Sequence, residues 1–135
     1  MIKRLLLALP LTLVFSGSSM AETFKKPAIE TPHGVILDGL KLIKEGKFDN
    51  WIQKHCSKEK KCFNAQTNAA LKRYNLPAIQ RRAGKCIKDD DTIEVTRTDK
   101  ISETELKIFL QCEPTAMPVP FWLIKEGTVW KFSNI

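Results

Sequence analysis

The apolar residues change rhythm once along the chain, from helical spacing before residue 84 to alternation after it. In residues 34–45, Ile36, Leu40 and Ile43, joined by Val35, Leu37 and Leu42, make a broad helical face, and Gly46 supplies the stop. Asp49 is expected to cap a short second helix that carries Trp51 and Ile52 toward Cys56. The polar pentapeptide 57–61 is too charged for a core and reads as a loop. Asn64 is expected to cap a third helix through Ala65, Ala69, Ala70, Leu71 and Tyr74, which Pro77 breaks or restarts before Ile79 and Gly84.

Strands come next. Residues 92–98 alternate through Ile93 and Val95, and residues 105–112 through Leu106, Ile108, Leu110 and Cys112, with a polar connection between them. Pro120 opens a third run over 121–125, and Glu126-Gly127 turns it into a fourth over 128–132, giving a closing hairpin. Residues 22–32, with Lys25-Lys26-Pro27 and Thr31-Pro32, show no sustained period and read as an extended lead-in that adds little to the core. Helices first and an antiparallel meander afterwards predict an α+β fold, with N-terminal helices packed on one face of a curved sheet of about four strands. One domain over 33–135 accounts for the pattern.

The start of the chain has a different character. Lys3 and Arg4, an apolar run from Leu5 to Phe15 and the small-x-small triplet Ser19-Met20-Ala21 make residues 1–21 an expected signal peptide, cleaved before Glu22. Cleavage would leave 114 residues and lower the net charge from +7 to +5, since Lys3 and Arg4 leave with the leader. The expected address is the periplasm or the exterior. No cysteine lies at the cleavage site to carry a lipid, and no other stretch approaches the length of a membrane-spanning segment. A moderate positive charge suits anionic partners and also serves solubility.

In an oxidising compartment Cys56, Cys62, Cys86 and Cys112 can pair, and three complete pairings are open to four cysteines. Local geometry favours Cys56 with Cys62 at a helix junction and Cys86 with Cys112 across the sheet. Loop closure makes these worth about 2 and about 3 to 4 kcal/mol. Zinc wants tightly spaced ligands, whereas the spacings here are five, 23 and 25 intervening residues. No Cys-x-x-Cys supports redox chemistry. No metal or other cofactor is expected.

The two histidines, His33 and His55, border the lead-in and the charged loop, and read as solvated rather than catalytic. No Gly-x-Ser-x-Gly, His-Glu-x-x-His or phosphate-binding glycine loop appears, so no catalytic residue is assigned. Lys54, Lys58, Lys60 and Lys61 cluster near the first cysteine pair, and Lys72, Arg73, Arg81, Arg82 and Lys85 follow on the third helical region. Of these, Lys58, Lys60, Lys61, Arg81 and Arg82 are the candidate anion-binding set, against the plainer reading of a solvated face. Interleaved Glu59 and the lack of aromatic platforms argue against specific nucleic-acid recognition. The aromatic residues are expected mainly in the core. Consecutive strand residues Phe121 and Trp122 must nevertheless point to opposite faces, so one of them leaves the core. Trp122, Tyr74 and Trp51 are the candidate ligand or partner contacts.

The segments Asp38-Gly39-Leu40 and Gly46-Lys47-Phe48-Asp49-Asn50-Trp51 resemble the first helix, and the turn into the second, of the nuclear transport factor 2-like superfamily, also called cystatin-like. Pro120-Phe121-Trp122-Leu123-Ile124-Lys125-Glu126-Gly127, followed by Thr128-Val129-Trp130-Lys131-Phe132, resembles its closing hairpin. The resemblance covers residues 33–135 and implies helices wrapped by a strongly curved sheet into a cone. Members include enzymes with an Asp or His deep in the cone and many exported binding proteins. No matching Asp-His pair stands in the strands here, so the resemblance transfers a fold and no catalytic residue.

These readings converge on an exported, disulfide-stabilised binding or interaction module of the cell envelope, more readily a non-enzyme than an enzyme. The alternative is a small-molecule binding or isomerase-like protein that uses the interior of the cone. A third possibility is binding of anionic lipid or polysaccharide by the cationic cluster. The expected partner is an envelope protein or a small apolar ligand. Expression with the leader intact should yield, by intact mass, a chain beginning at Glu22 in the envelope or medium fraction. A full-length chain retained in the cytosol would refute the export reading.

Overall fold

The computed structural model describes residues 21–59 and 64–134. All of the expected signal peptide except Ala21, together with Lys60, Lys61 and Cys62, lies outside them. Thr31 begins the first helix, α1 (Pro32–Lys44): its Oγ1 accepts from Gly34 N–H at 3.0 Å, and Pro32 occupies the first turn, where its missing N–H costs nothing. The helix thus starts two residues before the expected Gly34. Gly46, at φ +77°, ends it. In α2 (Phe48–His55) Asp49 does not cap; Lys47 holds the cap position without a side-chain bond, and Asp49 sits in the first turn, where its charge suits the helix dipole.

Asn64 caps α3 (Ala65–Ala70) as expected, accepting from Thr67 N–H at 2.8 Å. Pro77 does not break the helical region. A π-helical turn (Leu71–Asn75), closed by Leu76 N–H donating to Leu71 O, leads directly into α4 (Leu76–Cys86) with Pro77 in its first turn. The extra residue in the wide turn relieves the clash a proline ring otherwise makes with the carbonyl four residues back.

Five antiparallel strands form one open meander in the order β1 (Glu22–Lys25), β2 (Thr92–Ser102), β3 (Glu105–Leu110), β4 (Val119–Glu126) and β5 (Val129–Asn134). The sheet therefore has one strand beyond the four read from the pattern. The lead-in is extended and largely exposed, but its first four residues pair with β2, Glu22 opposite Val95 and Lys25 opposite Thr92. The backbone turns away at Lys26, φ +46°, whose N–H donates to Asp91 O at 2.9 Å. Bulges interrupt the register near Thr96, Ile101 and the Trp122/Leu123 step, each bending its strand. At the far edge Cys56 bridges Phe132 in parallel, and Ser57 N–H donates to Phe132 O at 2.8 Å.

Alternation sends Ile93, Val95, Ile108, Leu110, Phe121, Leu123 and Phe132 to the helical face, where α1, α2 and the long helical region close over them. Phe132 occupies the centre. Trp51 tilts against it at 5.3 Å between ring centroids, and Phe121 meets it edge-on at 6.2 Å. Gly39 of α1 lies directly above: a Cβ there would come within 2.6 Å of Phe132 Cε1 and 3.1 Å of Trp51 Nε1. The Cys86–Cys112 bridge is present, but it joins the last residue of α4 to the residue two beyond β3, and so ties the helical layer to the sheet. Cys56 is also disulfide-bonded, while its expected partner Cys62 lies outside the described residues. Gly39→Ala should cost about 1 to 3 kcal/mol in urea unfolding through overpacking against Phe132. An unchanged midpoint would show that α1 does not bear on that ring.

Candidate functional site

The residues singled out from the sequence do not form one site. Trp51 is wholly buried against Phe132 and Gly39. Tyr74 stands on the π-helical turn, 65% exposed, with the Arg73 guanidinium 5.6 Å from its ring. Trp122 projects from the sheet face opposite the helices, while Phe121 turns inward, 2% exposed. Arg81 and Arg82 are exposed on α4, and Lys58 follows Ser57 at the sheet edge. Lys60 and Lys61 lie outside the described residues.

Trp122 has company on the outer face. The register sets Lys107 opposite Trp122 and Arg97 opposite Phe109, on three neighbouring strands. The Lys107 ammonium lies 4.9 Å from the Trp122 ring and 5.0 Å from the Phe109 ring, and the Arg97 guanidinium 4.1 Å from Phe109. Asp99, next but one along β2, takes a two-pronged ion pair from Arg97 at 3.0 and 3.1 Å. The result is a row of alternating cations and rings across β2, β3 and β4. Period-two alternation could place each member on this face, but only strand register brings them into line.

A second arrangement escaped the sequence reading. His55 is buried, not solvated: its Nε2–H donates to Asp38 Oδ2 at 2.6 Å, and Lys54 Nζ reaches the same oxygen at 3.0 Å. His55 closes α2 one turn after Trp51 and packs edge-on toward Phe132 at 6.4 Å, so the buried stripe of a short helix carries it inward. Asp38 interrupts the apolar run of α1 between buried Leu37 and Gly39. Those two signals, an acid inside an apolar run and a histidine four residues after a core tryptophan, were the only local hints.

Burial holds the His55 imidazole below its ordinary pKa, outweighing the pull of Asp38 and aided by the charges of Lys54 and Lys131. Partial burial works to raise the Asp38 pKa, but hydrogen bonds from His55 and Lys54 and their charges carry it lower. A neutral imidazole oriented by a carboxylate is half of a general-base arrangement. No hydroxyl or thiol is hydrogen-bonded to His55 among the described residues. Its evident work is to clip α1 to α2, while Lys131 Nζ donates to Lys54 O at 2.7 Å and ties β5 to the same corner.

The space between helices and sheet is occupied by side chains: Trp51, Leu40, Ile108, Leu123 and Phe132 are all at most 1% exposed. Clefts occur instead at the surface. One of about 320 Å³ is lined by Asp49, Ile52, Gln53, Lys58 and Asn68, and one of about 260 Å³ by Ile29, Glu30, Thr128, Val129 and Trp130. A third, of about 220 Å³, lies between the ends of α1 and α4, with Lys41, Lys44, Lys88 and Asp91 in its wall. Among the described residues no cluster of three or more acidic, histidine or cysteine side chains could hold a metal ion, and no helix is long and apolar enough to cross a membrane.

The buried histidine carries a pH signature. A base whose folded pKa is depressed binds protons more readily once unfolded, so its stabilisation is present above the unfolded pKa of about 6.5 and is lost as pH falls through that value and the folded one. His33, stacked on Phe24 at 3.9 Å and also held down by burial against the charge of Glu22, acts in the same sense. Asp38 keeps its contribution until pH falls below its unfolded pKa of about 3.9 toward the lower folded one. Urea midpoints should therefore fall between about pH 7.5 and pH 5. His55→Gln should flatten part of that fall and His33→Gln most of the remainder; slopes matching the wild type would contradict the assignment.

No protein-family model matches this chain, and no curated protein or solved structure is significantly similar to it.

Proposed function

We propose that this chain is an exported, disulfide-stabilised binding module of the cell envelope, and that it works through its outer surface. The observation that carries the reading is Trp122: a large aromatic side chain on the sheet face that no helix among the described residues covers, flanked by Lys107, Phe109 and Arg97. Aromatic and arginine side chains together concentrate binding energy in protein contacts, because they offer large area at low entropic cost. The leader pattern of residues 1–21 supports export, and disulfide-bonded Cys56, Cys86 and Cys112 suit an oxidising compartment. Helices followed by a bulged antiparallel meander support, as part of the same proposal, a place in the nuclear transport factor 2-like superfamily and a cone-like curvature of the sheet.

A second reading, an isomerase-like or small-molecule protein using the interior, has one observation in its favour, the Asp38–His55 pair. Against it stands the packing between helices and sheet, where Trp51, Leu40, Ile108, Leu123 and Phe132 leave almost no exposed surface for a ligand of the size that pockets of about 300 to 1,000 Å³ take.

A photo-reactive phenylalanine analogue at position 122 should give a discrete adduct in envelope extracts that disappears when Lys107→Glu is added. The same probe at position 47, on the turn between α1 and α2, should give none. Equal labelling from both positions, or none from either, would refute the outer-face reading.

A further inference from the structure

We infer that the long helical region over residues 65–86 is a docking surface for anionic phospholipid headgroups. The inference is independent of the Trp122 contact, because it concerns a different element.

These 22 residues contain five Lys or Arg and no Asp or Glu. The cations are exposed and gather toward the two ends of α4 and its π-helical lead: Lys72 and Arg73 at one, Arg81, Arg82 and Lys85 at the other. Two carboxylates from elsewhere answer them. Asp49 pairs with Lys72 at 2.9 Å, and Glu113 pairs with Lys85 at 2.8 Å and feels the charge of Arg82. Arg73, Arg81 and Arg82 have no ion pair among the described residues. Arginine forks of this kind take phosphate oxygens two at a time.

Two exposed apolar side chains, one near each end of the helical region, choose the occupant. Tyr74 and Met117, at 65% and 85%, are the most exposed large apolar residues described. Tyr74 adjoins Arg73. Met117 follows the loop that Lys85–Glu113 and Cys86–Cys112 hold against the other end of the helix. A soluble polyanion rewards the cations alone and leaves both side chains in water. A bilayer receives both classes, headgroup phosphates by the arginines and the boundary of the acyl region by tyrosine and methionine. Spacing agrees: at about 1.5 Å per residue, Lys72 and Lys85 lie about 20 Å apart along the axis, spanning several headgroups of a continuous anionic layer. A single nucleic-acid strand would want stacking platforms between the cations, and Tyr74 is the one aromatic residue in the stretch.

The test uses the oxidised chain beginning at Glu22 and sedimentation with phosphatidylcholine vesicles, with and without phosphatidylglycerol. Binding should require phosphatidylglycerol and weaken steeply with salt. Arg73→Gln/Arg81→Gln/Arg82→Gln should lower the partition coefficient about 100-fold, at the usual increment per basic residue near an anionic surface. Tyr74→Ser/Met117→Ser should remove the binding that survives at high salt. All five positions are exposed, so circular dichroism should show an unchanged fold. Equal binding to vesicles lacking phosphatidylglycerol, or a triple variant that binds like the wild type, overturns the proposal. So does tighter binding to heparin than to anionic vesicles, which would mark the face as a reader of soluble polyanions.

Discussion

The close approach of α1 to Phe132 is the contact on which the rest of this structure depends. Only a glycine at position 39 lets the helix backbone sit against that ring. Trp51 then closes one side, Phe121 another and His55 a third. Because interiors pack at crystal-like density, the arrangement leaves no room to exchange one ring for another without moving a helix. The parallel bridge at Cys56 and the Ser57 hydrogen bond to Phe132 follow from the same position, since α2 must end where β5 can accept its last residues. Ser57 Oγ then donates to Glu126 across the hairpin end, which holds the exit from α2 against β4 as well.

A filled interior moves the chemistry outward. Asp38 and His55 satisfy one another at the rim of the core, where an unpaired imidazole or carboxylate would be costly to bury. Lys54 joins them, and so one member of the basic cluster around Cys56 is held by a structural partner. Lys72 and Lys85 are likewise answered by Asp49 and Glu113. Exposed pairs of this kind contribute little stability, but they sort the cations into those already engaged by a carboxylate and those with no ion pair among the described residues. Arg73, Arg81 and Arg82 fall in the second group. On the opposite side of the molecule, Lys107 and Arg97 spend their charge against rings instead of carboxylates alone, which leaves a face both aromatic and cationic.

Most of the regular structure was legible from local pattern. Apolar spacing in residues 34–45, the Asn64 cap and the alternation around Ile93 and Ile108 concern neighbours a few residues apart and appear in the fold. So does the closing hairpin, whose turn sits at Gly127-Thr128, one residue later than the expected Glu126-Gly127, because Glu126 still pairs with Val129. The Cys86–Cys112 pair was legible too, though its placement between helix and sheet was not. Features that need a distant partner escaped. Glu22–Lys25 has no apolar rhythm and becomes a strand only because β2 offers it a free edge. Pro77 carries an ordinary stop signal that a wide turn, set by the packing of Leu71 and Leu76 in the core, renders harmless.

By itself, then, the sequence determined the α+β class, the order of elements from the first helix onward and which strand faces are apolar, because side-chain period and capping chemistry act within a turn or two of chain. Tertiary structure alone decided that Phe121 turns in and Trp122 out, that His55 meets Asp38, and that Arg97, Phe109, Lys107 and Trp122 form one row. The reason is physical: register and helix packing are settled by which buried surfaces fit together, and that fit is a property of the whole core, centred here on Phe132.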